Sequence, residues 1–145
     1  MPVSGMGIVK SVNSDKMKLN EELIRTAIKA IEHEKIADEN GQYKRQYNGY
    51  IASFGAAIIQ SGLLPAVIFF ENANANSEEN KTKVINALVY VLKEHYKLAH
   101  IGLPFHSYLL QEGRNTPELL NEVNQAAAAL KLALRTFKKM KDEKE

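Results

Sequence analysis

Apolar residues recur along most of this chain at the spacing of a helix rather than of a strand. Leu23, Ile24, Ala27, Ile28 and Ile31 form one stripe. Asn20 before them suits an N-cap, and Glu21 and Glu22 favour the positive helix end. The pattern predicts a first helix that stops at Asp38 to Gly41, with Arg25, Lys29, Glu32 and Lys35 on its wet face. A second helix is expected over 43–60. At about 100° per residue, Tyr43, Tyr47, Tyr50, Ile51, Phe54 and Ile58 fall within one arc. The opposite side is a strip of small residues, Gly49, Ala52, Ser53 and Ala56, running on to Gln60. Large residues on one side and small ones on the other predict a sandwiched helix. Its neighbour across the small strip is either the protein's own core or another subunit.

Gly62 suits the left-handed position after a helix, and Pro65 suits the first helical position of the next one, so a short buried helix is expected over 64–71. The run Ala66 to Phe70 reads equally as a strand; helix is preferred because no second convincing strand exists to pair with it. Asn72 to Asn80 is a polar loop, with Asn76 and Glu79 at the spacing of a capping box. Val84, Ile85, Leu88, Val89 and Leu92 predict a helix that continues towards Leu98 and is broken by Gly102 and Pro104. Pro104 to Leu110 gives one or two further turns, ended by Gly113. Thr116, Pro117 and Glu118 are the clearest helix start in the chain, and Leu119, Val123, Ala127, Leu130, Leu134 and Phe137 keep period behind them. The tail from Lys138 is charged and expected to fray. The sum is an all-α, single-domain helical bundle of about five to six helices over 19–140. A flexible extension over 1–18 precedes it, within which Met17 is a natural alternative start.

Composition narrows the chemistry. A length of 145 residues suits one domain, and 45% hydrophobic with 25% charged residues is ordinary for a globular protein. With no cysteine, disulfides, Cys-ligated zinc, iron–sulfur clusters and thiol nucleophiles are excluded. The same absence fits a reducing, cytoplasmic setting. No run of about 18 apolar residues exists to span a membrane. Aspartate occurs only at Asp15, Asp38 and Asp142, all in predicted ends or linkers, so a carboxylate site would have to be built from glutamates on solvent faces and helix starts. His33, His95, His100 and His106 make no i,i+4 ligand pair, and Ser53, Ser61 and Ser107 lack a nucleophile elbow. There is no phosphate-cradling glycine loop. The expectation is a protein without catalysis, cofactor, metal or small-molecule substrate.

A net charge of +2 is far from that of a protein that coats nucleic acid by itself, so only local patches could do so. Lys44 and Arg45 open the second helix beside Tyr43 and Tyr47, offering cations to a phosphate backbone and rings for stacking. Between Asn40 and Phe70 they are the only charges. On the last helix Lys131, Arg135, Lys138 and Lys139 share one flank while Glu118 and Glu122 lie on the other, which would give a ridge of positive potential. Each cluster reads equally as an ordinary solvated face.

The lead-in Tyr43-Lys44-Arg45-Gln46-Tyr47 runs into the small-residue helix, which ends in Ile58-Ile59-Gln60-Ser61-Gly62-Leu63-Leu64-Pro65-Ala66-Val67-Ile68-Phe69. This stretch resembles the small subunit of the Cmr, or type III-B, CRISPR effector complex, in which a helix ends in a Gly-Leu turn followed by an apolar run with Ala and Phe. The resemblance covers Leu19 to Lys138; Ser61 stands where the family often has Asn, and Pro65 is not demanded by the pattern. It implies a non-catalytic helical subunit that stacks on copies of itself as a short filament, beside backbone subunits that hold the CRISPR RNA and carry the cleavage. The implied partners are the other Cmr effector subunits (RNA-binding backbone and large subunits), CRISPR RNA, target RNA and further copies of the chain, with no membrane. Lys44 and Arg45 match the family's basic lead-in and are the implied phosphate contacts. Lys131, Arg135, Lys138 and Lys139 join them on charge segregation alone, and Gly49, Ala52, Ser53 and Ala56 are the candidate interface. The competing reading is a self-associating helical module that never touches nucleic acid.

Overall fold

The computed structural model describes residues 21–72 and 80–141. The extension over 1–18, the Asn20 cap, the Asn76–Glu79 box and the last four residues lie outside the described residues. Among the described residues six helices form: α1 (residues 21–33), α2 (Gln46–Ser61), α3 (Leu63–Phe70), α4 (Thr82–His95), α5 (Phe105–Leu109) and α6 (Pro117–Leu134). Two two-residue strands, β1 (Gln42–Tyr43) and β2 (Lys138–Lys139), pair in parallel. The fold is the all-α bundle that the apolar spacing predicts.

One core gathers Leu23, Ala27 and Ile31 of α1, Tyr47, Ile51, Phe54 and Ile58 of α2, Val67 and Phe70 of α3, and the inner faces of α4 and α6. The second helix is the hub, packing on α3, α4 and α6, while α3 also meets α5. At the start of α6 the Thr116 hydroxyl accepts the Leu119 N–H at 3.1 Å, and Pro117 opens the helix where no donor is needed. Thus the start signal read from the sequence is the cap actually made.

Several boundaries differ from expectation, each for a local reason. The first helix stops at residue 33, before Asp38, because Lys35 adopts a left-handed conformation (φ 59°). The N–H of Lys35 bonds the Glu32 carbonyl at 3.1 Å and that of Ile36 bonds the Ile31 carbonyl at 3.0 Å, a Schellman stop made without glycine. The fourth helix ends at His95, and Lys97 (φ 61°) turns the chain there before Leu98 can extend it. The second helix starts at Gln46, because Tyr43 is engaged in β1. Gly62 ends that helix with φ 94° and ψ 166°, a region reached essentially by glycine alone, rather than in the left-handed helical well. The short helix after it is observed as helix, from Leu63, with Pro65 inside its first turn.

Over residues 138–140 the fraying expected of the tail does not occur. Three tight turns close α6, with the Phe137 N–H on the Leu134 carbonyl at 3.1 Å, and the chain then runs alongside β1. Lys138 donates its N–H to Gly41 at 2.9 Å, and Met140 donates to Tyr43 at 2.8 Å.

Candidate functional site

That small ladder decides where the candidate cations lie. In register, Gln42 faces Lys138 and Tyr43 faces Lys139, and paired strands run about 4.8 Å apart. Lys44 and Arg45, which follow β1 directly, are therefore side by side with the segment that carries Lys138 and Lys139. The two clusters found separately in the sequence form one edge. Within 41–45 and 135–141 there are Lys44, Arg45, Arg135, Lys138, Lys139 and Lys141 and no acid. All six are exposed. The sequence reading missed Lys141, since a tail expected to fray gave it no position. Lys131, also exposed, sits one turn before Arg135 on α6 and extends the edge along the helix without belonging to the ribbon.

Lys44 and Arg45 do not open α2, as expected, but form the turn between β1 and α2; Arg45 is the residue before its first turn. The turn before β1 is held by Asp38, whose carboxylate accepts the N–H groups of Asn40 and Gln42, both at 2.9 Å. Of the acids before β1, Asp38 and Glu39, the Asp38 carboxylate is directed into its own backbone, while Asp142 and Glu143 directly follow Lys141 in the sequence. Tyr43 and Tyr47, expected as stacking rings, are buried at 7% and 2% exposure and belong to the core. The edge thus offers charge, not a stacking surface.

The small strip proves to be a surface. Gly49, Ala52, Ser53, Ala56 and Gln60 are all exposed, so no other part of the described fold lies over them, and the core alternative for this side of α2 is overturned. Ile59 flanks the strip at 86% exposure, and Phe69 on the adjoining α3 is 58% exposed. The Lys81 ammonium lies over the Phe69 ring at 4.7 Å and over Tyr50 at 5.4 Å, a cation resting on the aromatic rim of the α2–α3 junction. The strip itself is uncharged, with large apolar side chains at its rim.

The histidines are scattered. His33 rests against Tyr90 with ring centroids 4.9 Å apart, His95 against Tyr96 at 4.8 Å, and His100 against Tyr108 at 5.5 Å. His106 lies on Glu71. Among the described residues no group of three metal-binding side chains comes together, and no helix is long and apolar enough to cross a membrane.

With this geometry in place, comparison with protein families is informative: the family model described as CRISPR-associated protein (Cas_Cmr5) matches residues 19–139. The chain belongs to this family. It is a small subunit of the Cmr, type III-B CRISPR kind, and the other Cmr subunits are its partners in an effector complex. The match spans all six described helices and ends on β2. Searches of curated proteins and of solved structures returned no match.

Proposed function

We propose that this subunit performs no catalysis itself and holds guide–target RNA in the cytoplasm, through the basic edge, while stacking on copies of itself through the small-residue face of α2. The observation that carries the RNA role is the β1–β2 pairing, which sets Lys44 and Arg45 beside Lys138 and Lys139 with no acid in either segment. Such an edge suits the regular negative charge of a phosphodiester backbone and reads no bases, as a subunit serving any guide sequence requires. Lys131 and Arg135 lengthen it along α6.

The experiment is RNA capture by the reconstituted complex carrying Lys44→Glu with Arg45→Glu, measured across a salt series. Weaker capture and a shallower salt dependence are expected. Capture equal to the unaltered complex at every salt concentration would exclude the phosphate role.

The exposed strip, with Ile59 beside it, also favours the reading of a self-associating module that does not contact RNA. Ala56→Leu separates the two surfaces. Because Ala56 is exposed, this variant is expected to keep its helix content and RNA edge and to lose assembly into larger species. If it assembles normally, α2 is not the stacking face.

A further inference from the structure

The cations at the basic edge come from two distant parts of the chain, and main-chain hydrogen bonds join those parts there. Lys138 N–H to Gly41 and Met140 N–H to Tyr43 bind the last described residues to β1 at 2.9 and 2.8 Å. Tyr43 anchors the ladder in the core, while Lys138 and Lys139 of β2 are both exposed. Because Met140 bonds to Tyr43, the pairing reaches the residue directly before Lys44.

We propose that the β1–β2 ladder is the positioning device of the RNA edge: it holds the exposed Lys138 and Lys139 beside Lys44, where together they meet the phosphodiester backbone. This rests on the RNA-holding reading above. Two exposed, flexible lysines on an unpaired tail would have to be ordered by the RNA itself, and that ordering opposes binding. A tail already paired needs no such ordering. By linkage, RNA that binds the paired form must in turn strengthen the pairing.

Met140→Pro tests the device without altering charge. It removes the N–H that bonds Tyr43 and lies outside every helix, so circular dichroism should be unchanged, and Met140→Leu serves as the control that keeps the donor. In the reconstituted complex Met140→Pro is expected to weaken RNA capture roughly tenfold at low salt and to lower the salt slope by about 1, with Met140→Leu unchanged. A second variant does not depend on the proline: Lys138→Ala with Lys139→Ala should weaken capture. In addition, RNA should slow amide exchange at Lys138. Should Lys44→Glu with Arg45→Glu weaken capture while Met140→Pro binds as the unaltered complex does, or Lys138→Ala with Lys139→Ala leave capture unchanged, the device is wrong and the RNA reading stands. If none of these variants changes capture, the RNA reading itself fails and takes the device with it.

Discussion

Glu71 Oε1 accepts both the main-chain N–H of His106, at 2.9 Å, and its ring Nδ1–H, at 2.7 Å, while Oε2 accepts the Phe105 N–H at 2.7 Å. A carboxylate can only accept, so the imidazole hydrogen sits on Nδ1. The Glu71 side chain is 3% exposed. One acid at the end of α3 thus satisfies the opening donors of α5, a five-residue helix too short to persist alone. Removing it strands two main-chain donors in a partly buried place. Glu71→Ala is expected to cost about 3 kcal/mol, lowering the melting temperature by roughly 8–12 °C in a thermal scan. His106→Ala, which leaves both main-chain bonds in place, should cost less than half as much.

Two glycines, one inside α2 and one just after it, should respond oppositely to the same substitution. Gly62 has φ 94° and ψ 166°, and an added Cβ would meet only Pro65 Cδ at 3.8 Å, so strain rather than crowding decides. Gly62→Ala is expected to destabilise by about 1–3 kcal/mol. Gly49 lies inside the helix, with nothing within 4 Å of a Cβ placed there. There Gly49→Ala should stabilise the free subunit by about 0.5–1 kcal/mol. Denaturant melts of both variants decide it; equal signs would contradict the geometry.

The helices were legible because each buries one stripe, and a stripe at 3.6-residue spacing is written directly in the order of residues such as Val84, Ile85, Leu88 and Leu92. Position in the fold was less so. Gly49, Ala52 and Ala56 announce only that something could approach closely; whether anything does depends on where α3, α4 and α6 pack, and they pack on the other side. The ribbon that unites the cations was not legible at all. Two-residue strands have no period, and the pairing of Tyr43 with Lys139 joins residues whose side chains share no chemistry. Likewise Glu71 carried no signal, since its partners are main-chain groups of a distant turn.

The two helix stops missed from the sequence make a further prediction. Glycine is the usual left-handed residue after a helix, and here Lys35 (φ 59°) and Lys97 (φ 61°) occupy it. An L-residue with a Cβ pays about 1–2 kcal/mol in that conformation, against the greater chain entropy that glycine loses on folding. Lys35→Gly and Lys97→Gly should each therefore stabilise by about 0.5–1 kcal/mol, read as a higher denaturation midpoint at unchanged slope. Because the two stops lie on different helices, the double variant should show nearly the sum.

The acidic flank of α6 predicts a pH dependence. Partial burial pushes the Glu122 carboxyl above its ordinary value, and Glu118, one turn earlier, pushes it further. Tyr96, whose hydroxyl donates to Gln125 Oε1 at 2.6 Å, is raised first by its own burial and then by Glu122. A carboxyl whose value is raised in the folded state holds its proton more tightly there than in the unfolded chain. Its contribution is thus favourable below the unfolded glutamate value and is lost as pH rises through the raised one. At neutral pH the charged Glu122 works against folding. Glu122→Gln should accordingly be more stable than the unaltered chain at pH 7 by about 0.2–0.5 kcal/mol, the size of a like-charge contact one turn apart. The advantage should shrink as pH falls through the glutamate range, and at pH 7 it should shrink with added salt. Chemical denaturation at pH 7 and at pH 4 gives the comparison, and an advantage that grows towards low pH would reverse the assignment.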